Sequence, residues 1–243
     1  MPETEIAITK IFNDYLPGVG NAILHSIGLP AQPRPWANFV VMQIVVVLLI
    51  MVAAVVVRIR LSASSPGGLQ NVFELFYEFV LGQAEGQIGH DALRYVSFFG
   101  TLFLFILISN LIGLIPIFES PTKTASVTCG CALATFFYYN LMGVRVHGWK
   151  YILHFMGPKW WLAPLMFPIE VTSHLARPLS LTIRLYANMF AGEQVTLVFL
   201  HLTYFVIPAI FMGLHVFVGV VQAYIFMLLA MAYVGGSVAL EQH

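Results

Sequence analysis

The chain has 243 residues, of which 59% are hydrophobic and 9% are charged, and its mean hydropathy is +0.86. Soluble domains contain about 25% charged residues, so this composition excludes a soluble domain and predicts an integral membrane protein. The net charge is zero, which argues against nucleic acid as a partner.

The chain begins with a polar, proline-bearing lead-in over residues 1–35, which carries no recognisable motif. Residues 37–57 follow without a charged side chain. They are long enough to cross a bilayer, which needs about 20 apolar residues. This stretch therefore predicts the first membrane span, and Arg58 and Arg60 follow it at once.

An amphipathic helix is predicted over residues 69–82, because apolar residues recur there at helical spacing against Glu74 and Glu78. Its polar face is acidic, so attraction to anionic lipid is not its purpose. Further spans are predicted over residues 95–118 and 125–144. These two stretches are again apolar and long enough for a bilayer.

The apolar sequence that follows predicts two long helices, over residues 160–192 and 209–240, with a break between Gly192 and Pro208. Between Glu193 and Glu241 it contains no Asp, Glu, Lys or Arg. As one helix that stretch would measure about 70 Å, so it must fold back or tilt. The fold class predicted is all-α and polytopic, with about five membrane helices, one interfacial helix and a final tilted hairpin.

Basic residues predict the orientation, because cytoplasmic loops are enriched in Lys and Arg. The Arg58/Arg60 pair and the basic loop after residue 144 flank an even number of spans, so both lie on the cytoplasmic side. The N-terminus and the turn from Glu119 to Lys123 are then outside, and the C-terminus is inside.

Arg184 is the strongest functional candidate, because a guanidinium keeps its charge inside a protein. Near the middle of a bilayer it costs about 2.5–3.5 kcal/mol on insertion scales. On a helical wheel, other polar residues lie within about 40° of it and form one stripe toward the inner end and middle of the helix. They are Glu170, Ser173, Arg177, Ser180 and Asn188.

Glu193 falls on the opposite side of that helix, about 13 Å beyond Arg184. If Arg184 lies level with Gln222 in an antiparallel hairpin, His215 comes to nearly the depth of Glu193. A proton-exchanging pair of Glu193 and His215 is a hypothesis, since imidazole titrates nearest to neutral pH. Two acids on different faces, with a cation between them, predict two separate polar paths.

Plain structural roles compete with these interpretations. Glu170 and Arg177 could be interfacial groups that reach toward water, and Ser173 and Ser180 could be small residues that let helices approach closely. Packing is the ordinary role for His154, His174 and His201.

Four motifs together resemble subunit a of the bacterial F-type ATP synthase, the stator channel beside the rotating c-ring. The longest is SLTIRLYANMFAGE, from Ser180 to Glu193. The others are NLIGLIP at Asn110, QAYIF at Gln222, and Pro66-Gly67 ahead of the acidic amphipathic helix. The resemblance covers the chain from about residue 36 to its end.

The resemblance implies that Arg184 is the essential stator arginine and that the hairpin faces the c-ring. It implies an outer half-channel of Glu193, His215 and Gln222, with Asn188 beside it. The implied inner half-channel consists of Glu170, Ser173, Arg177 and Ser180. Expected partners are the c-ring, the b subunits of the peripheral stalk, other ATP synthase subunits and the bilayer of the bacterial inner membrane. No cofactor, no metal and no ATP chemistry on this chain are expected.

Two other functions compete with this one. A transporter or channel acting alone is one, although the sequence shows no inverted repeat of the kind common in transporters. A haem-binding membrane anchor is the other, because His201 and His215 are near the spacing of paired axial ligands. The resemblance leaves open whether the transported ion is H⁺ or Na⁺. The combination of Glu193 and His215 favours protons.

Overall fold

The computed structural model describes residues 5–62, 67–89, 91–115, 118–148, 151, 163–202 and 206–238. All regular structure within these ranges is helical, which confirms the all-α prediction. The helices are α1 Ala7–Tyr15, α2 Pro17–Ser26, α3 Asn38–Ile59, α4 Gly68–Ile88, α5 Val96–Ile112, α6 Ala125–His147, α7 Ala163–Leu202 and α8 Val206–Val238.

The N-terminal lead-in forms two short helices, α1 and α2, that fold against the start of α3. The Asn13 side chain accepts a hydrogen bond from the Trp36 backbone N–H at 3.0 Å and donates one to the Trp36 carbonyl at 3.2 Å. Gly20 of α2 lies so close to Pro35 and Trp36 that an added Cβ would meet Pro35 at 2.6 Å. These contacts give a segment without a recognised motif a defined place.

Three helices, α3, α6 and the part of α8 from Ile207, are long and apolar enough to cross a membrane. Helix α5 is apolar but has 17 residues, and α7 has 40 residues with charges along its length. As straight helices α7 and α8 would measure about 60 and 50 Å. Because a bilayer core is about 30 Å thick, both must tilt or extend beyond it. The prediction of a polytopic membrane protein is confirmed.

The amphipathic helix α4 extends to Ile88, six residues beyond the predicted end. Glu74 and Glu78 are exposed, as expected for its acidic face. Only part of the apolar set faces the core: Val80 is buried and Phe76 half-buried, whereas Leu75 is exposed. Helix α4 therefore packs on the bundle along a narrow strip.

Helix α8 is the centre of the bundle, because α4, α5, α6 and α7 all pack against it. Its buried side chains recur at intervals of three and four residues, which is one face of a helix. The core it shares with its neighbours includes Phe99 and Ile106 of α5, Tyr139 of α6, Leu181, Leu185 and Met189 of α7, and Phe226, Met227, Ala230, Met231 and Val234 of α8.

Candidate functional site

Arg184 lies on α7 at the border between a buried face and an open face. Leu181 and Leu185 are buried against neighbouring helices, whereas Ile183 is exposed on the other side. The Arg184 side chain is half-buried. Within the ranges that the structure describes, neither an ion pair nor a hydrogen bond holds its guanidinium. A permanent cation is thus presented at the edge of an open helix face.

The other residues of the polar stripe lie along the same border of α7. Glu170 and Arg177 are half-buried, and Ser173, Ser180 and Asn188 are exposed. Pro168 and Pro178 stand inside the helix. The hydroxyls of Thr172 and Thr182 donate to the carbonyls of these prolines, a contact that commonly accompanies helix bending. The stripe therefore follows a helix that has bending sites.

Toward the N-terminal end of α7, Arg177 turns away from the open face and toward two tyrosines. Its guanidinium carbon lies 5.2 Å from the ring centre of Tyr233 on α8 and 6.0 Å from that of Tyr139 on α6. Cation–π contacts hold an arginine through the faces of aromatic rings. Arg177 thus joins α7 to both neighbouring helices.

A hydrogen-bond network surrounds His174, one turn from Arg177. The His174 Nε2 lies 3.1 Å from the hydroxyl of Tyr139 and 2.8 Å from Asn140 Oδ1, which also accepts a hydrogen bond from Tyr151 at 3.1 Å. His174 is buried. The N-terminal part of α7 therefore contacts a connected set of hydrogen-bonding groups. This set includes residues that the predicted stripe did not contain.

In the middle of the hairpin, Asn188 of α7 donates a hydrogen bond to Gln222 Oε1 of α8 at 2.7 Å. Gln222 is only 2% exposed, and its Nε2 has no hydrogen-bond partner among the described residues. The bond sets Gln222 level with Asn188, about one helical turn from Arg184. The observed register of the hairpin therefore differs by one turn from the assumed one, in which Gln222 is level with Arg184.

Toward the C-terminal end of α7, the Glu193 carboxylate pairs with Lys123 and not with His215. The Lys123 Nζ lies 3.0 Å from Glu193 Oε1 and also pairs with Glu119. His215 stands against the backbone of Gly192, where an added Cβ would collide with its ring. The hypothetical Glu193–His215 pair is thus close in space, with Lys123 as the direct partner of the acid.

The charge of Lys123 is held by these two acids. Burial alone lowers the pKa of the Lys123 ammonium. Hydrogen bonds to Glu119 and Glu193 and their negative charges outweigh that effect, so the pKa is raised above its usual 10.5. The side chain is therefore a fixed cation at neutral pH.

The two histidines considered as haem ligands lie on different helices, His201 on α7 and His215 on α8. His201 Nδ1 lies 2.7 Å from the Leu197 carbonyl one turn back.

Comparison with known proteins decides the family. The family described as ATP synthase A chain matches residues 39–235. The chain is 60% identical to ATP synthase subunit a of Solibacter usitatus over 232 residues, which are 95% of this chain and 100% of that protein. It is 48% identical to the Koribacter versatilis protein of that name over 238 residues, 97% of each chain. This chain belongs to the ATP synthase A chain family.

A more distant relative extends the same result. ATP synthase subunit a of Trichlorobacter lovleyi is 42% identical over 201 residues, which cover 83% of this chain and 87% of the relative. Membership of the ATP synthase A chain family makes this chain a membrane protein and the proton-channel subunit of an F-type ATP synthase stator. Other subunits of the ATP synthase are its partners.

Sequence reasoning missed several polar groups of this ATP synthase A chain member. Lys123 was noticed only as the end of an outer turn, and His174 was weighed as packing. Tyr139 and Asn140 gave no signal, since polar residues at single positions of an apolar helix are common. For Lys123 a signal existed: it is a basic residue on the side that the charge rule predicts to be poor in them.

Proposed function

We propose that this chain forms two offset proton half-channels, separated by Arg184, that exchange protons with carboxylates of a c-ring. The observation that carries the proposal is the placement of Arg184. It is a half-buried cation at the edge of an open helix face, without a carboxylate partner among the described residues. Such a charge is costly in a membrane and calls for a negative group from a partner.

A c-ring carboxyl that reaches Arg184 would ionise there. In lipid it stays protonated, because a buried charge is costly. A unit pair at about 4 Å and an effective dielectric constant of about 20 gains roughly 4 kcal/mol. That energy shifts the balance about a thousandfold toward the ionised form. Arg184 also repels a hydronium ion, so protons are kept from crossing directly between the two paths.

The released proton leaves through the inner path along Glu170, Ser173, Arg177 and Ser180. In this path Glu170 accepts and passes on the proton. The serine hydroxyls on the open border can relay it, since a hydroxyl both donates and accepts. The aromatic contacts of Arg177 keep its cation beside the path and out of its centre.

The incoming proton enters through the outer path of Glu193, His215, Gln222 and Asn188. His215 and Glu193 lie at neighbouring positions near the outer end of the hairpin. The bond from Asn188 uses only the Oε1 of Gln222, so the two N–H donors of its buried Nε2, which have no partner among the described residues, can bind a water or the passing carboxyl. These groups lie on the Glu193 side of Arg184, so the two paths do not join.

This proposal includes an orientation and partners. The chain lies in the bacterial plasma membrane with its N-terminus outside and its C-terminus in the cytoplasm, because its basic loops face inward. The b subunits of the peripheral stalk hold it against the turning ring. The ion is the proton, because histidine relays protons and is a poor ligand for a hard cation.

The test is Arg184→Lys in the complete ATP synthase, with ATP-driven proton pumping measured in inverted membrane vesicles. We expect normal amounts of assembled complex and pumping reduced to background, because a buried lysine can lose its proton and with it the fixed charge. Arg94→Lys is the matched control, since Arg94 is an exposed residue between α4 and α5. Wild-type pumping by Arg184→Lys would refute the proposal.

A further inference from the structure

The outer end of the proposed path contains a three-membered charge network. The Lys123 ammonium pairs with Glu119 of its own turn and with Glu193 of α7, the latter at 3.0 Å. The exposed fractions of the three side chains are 22% for Lys123, 19% for Glu119 and 33% for Glu193. The network is therefore partly buried. Charge pairs in such a place interact more strongly than charge pairs on an open surface.

The turn that carries Lys123 is fixed by bonds that do not involve the ammonium. The Ser120 hydroxyl donates to the Ser109 carbonyl at 2.9 Å, and the Thr122 hydroxyl donates to Asn110 Oδ1 at 2.7 Å. The Asn110 amide in turn donates to the Gly219 carbonyl of α8 at 2.9 Å. All of these bonds are buried, so Lys123 is held at the mouth of the path by α5 and α8.

The local secondary structure does not favour a cation at this position. Lys123 lies just before α6, which begins at Ala125. The N-terminal end of a helix carries partial positive charge and disfavours a neighbouring cation. What favours the ammonium is the pair of carboxylates, which would otherwise face each other with no positive charge between them.

Two carboxylates that converge on one point form the kind of oxygen site that binds hard cations such as Ca²⁺ and Na⁺. Here the point of convergence is occupied by an ammonium tethered to the chain. A tethered cation cannot diffuse away, and its raised pKa keeps it charged at neutral pH. A proton can still reach Glu193, because a third of that side chain is not covered by the rest of the chain.

We propose that Lys123 is a specificity-determining residue of the outer path, which fills the Glu119–Glu193 carboxylate pair and thereby keeps metal cations from binding at the proton entrance. The inference rests on the proposed function, since it assumes that protons pass Glu193. It assigns Lys123 a role in ion selection in addition to holding the turn in place.

The experiment uses the complete ATP synthase in proteoliposomes whose lumen faces the outer end of the path. The lumen contains choline chloride, NaCl or CaCl₂ at equal ionic strength, and ATP-driven proton pumping is measured. We expect wild-type rates to be the same in all three salts. We expect Lys123→Gln to pump in choline and to lose activity severalfold in Ca²⁺, because two uncompensated carboxylates then bind the ion.

Matched variants separate this role from a structural one. Lys123→Arg keeps the tethered cation and should be insensitive to Ca²⁺, as should the double variant Glu119→Gln/Lys123→Gln, which leaves a single carboxylate. A merely structural lysine would lower the rate equally in every salt. Equal rates of Lys123→Gln in all three salts would therefore overturn the inference, while pumping in choline would leave the proposed function intact.

Lys123→His decides the matter if Lys123→Gln does not assemble. An imidazole in that place loses its charge at a much lower pH than an ammonium does, so Ca²⁺ inhibition should be small at low luminal pH and grow as the luminal pH rises. The titratable groups that contact it are Glu119 and Glu193, and His215 of α8 lies near Glu193. These three groups are also present in the wild type, which is measured alongside and controls for their titration. A Ca²⁺ effect on Lys123→His that does not change with pH would contradict the inference.

Discussion

Gly192 of α7 lies directly against the imidazole ring of His215 of α8. A Cβ added there would collide with the imidazole ring. The glycine therefore admits the histidine to the α7–α8 interface. Because Gly192 precedes Glu193 in the chain, the imidazole also lies near the Glu193 carboxylate.

Gly192→Ala should displace His215 and lower passive proton conduction through the membrane sector severalfold, with assembly retained. The ring can rotate away, but it then leaves the path, and any remaining crowding costs about 1–3 kcal/mol. Proton uptake by vesicles stripped of the catalytic head measures the effect. Gly213→Ala on α8 is the control, because a Cβ there meets nothing within 4 Å. Equal conduction by the two variants would contradict this placement of His215.

At the scale of single residues, the sequence could identify Arg184 but not its neighbours. A lone guanidinium in an apolar run is conspicuous, because the free energy of placing its charge in a bilayer is unfavourable whatever its neighbours are. The pairing of Glu193 with Lys123 joins residues 70 positions apart, and no local pattern encodes such a contact. The Glu193–His215 hypothesis did not include Lys123, which is the direct partner of Glu193.

Helix α4 contacts α8 where Gly235 faces the end of α4. A Cβ on Gly235 would meet the Gln87 carbonyl oxygen at 2.6 Å, whereas one on the adjacent Gly236 meets nothing within 4 Å. A backbone atom cannot rotate away as a side chain can. The two neighbouring glycines thus differ in whether a methyl group fits.

Gly235→Ala should lower the thermal stability of the purified subunit complex in detergent, because the α4–α8 contact must open at a cost of about 1–3 kcal/mol. Gly236→Ala should be neutral or stabilising by about 0.5–1 kcal/mol, since alanine favours a helix interior. Unfolding temperatures of the two variants and the wild type test this. An equally large stability loss for Gly236→Ala would contradict this prediction, because it would show that the loss does not come from the contact between Gly235 and Gln87.

At the scale of elements, helical spacing predicted that α4 exists but placed its end too early. The predicted helix stopped at residue 82, whereas α4 continues to Ile88. In the structure Gln83 turns inward and accepts a hydrogen bond from the Tyr224 hydroxyl of α8 at 3.1 Å. The helix ends only before Gly89, whose φ of +83° suits glycine. A polar residue that faces a partner helix is not distinguishable by periodicity from one that faces water.

At the scale of the whole molecule, α7 is covered on one side and open on the other. Its inner face packs on α6 and α8, and its outer face exposes Leu175, Leu179 and Ile183 in a row that passes Arg184. Composition could predict the membrane class and the long hairpin. It could not predict the register of the hairpin, because that depends on the Asn188–Gln222 bond and on close packing along α8.

The open face of α7 should be the surface that meets the c-ring, and cysteine cross-linking can test this. Ile183→Cys, at a position where the side chain is 55% exposed, should cross-link under oxidation to a cysteine placed near the ring carboxylate. Leu185→Cys should not, because that position is 0% exposed and packed inside the bundle. Both are made with Cys129 and Cys131 changed to alanine, so that the native thiols do not react.

The two cross-linking positions are neighbours on one helix, so they share membrane depth within about 3 Å and differ mainly in direction. Band shifts on denaturing gels after assembly in native membranes give the readout. Cross-links from Leu185→Cys but not from Ile183→Cys would mean that the ring meets a different side of α7. Arg184, which lies between these two residues at the edge of the open face, would then not face the passing carboxylate.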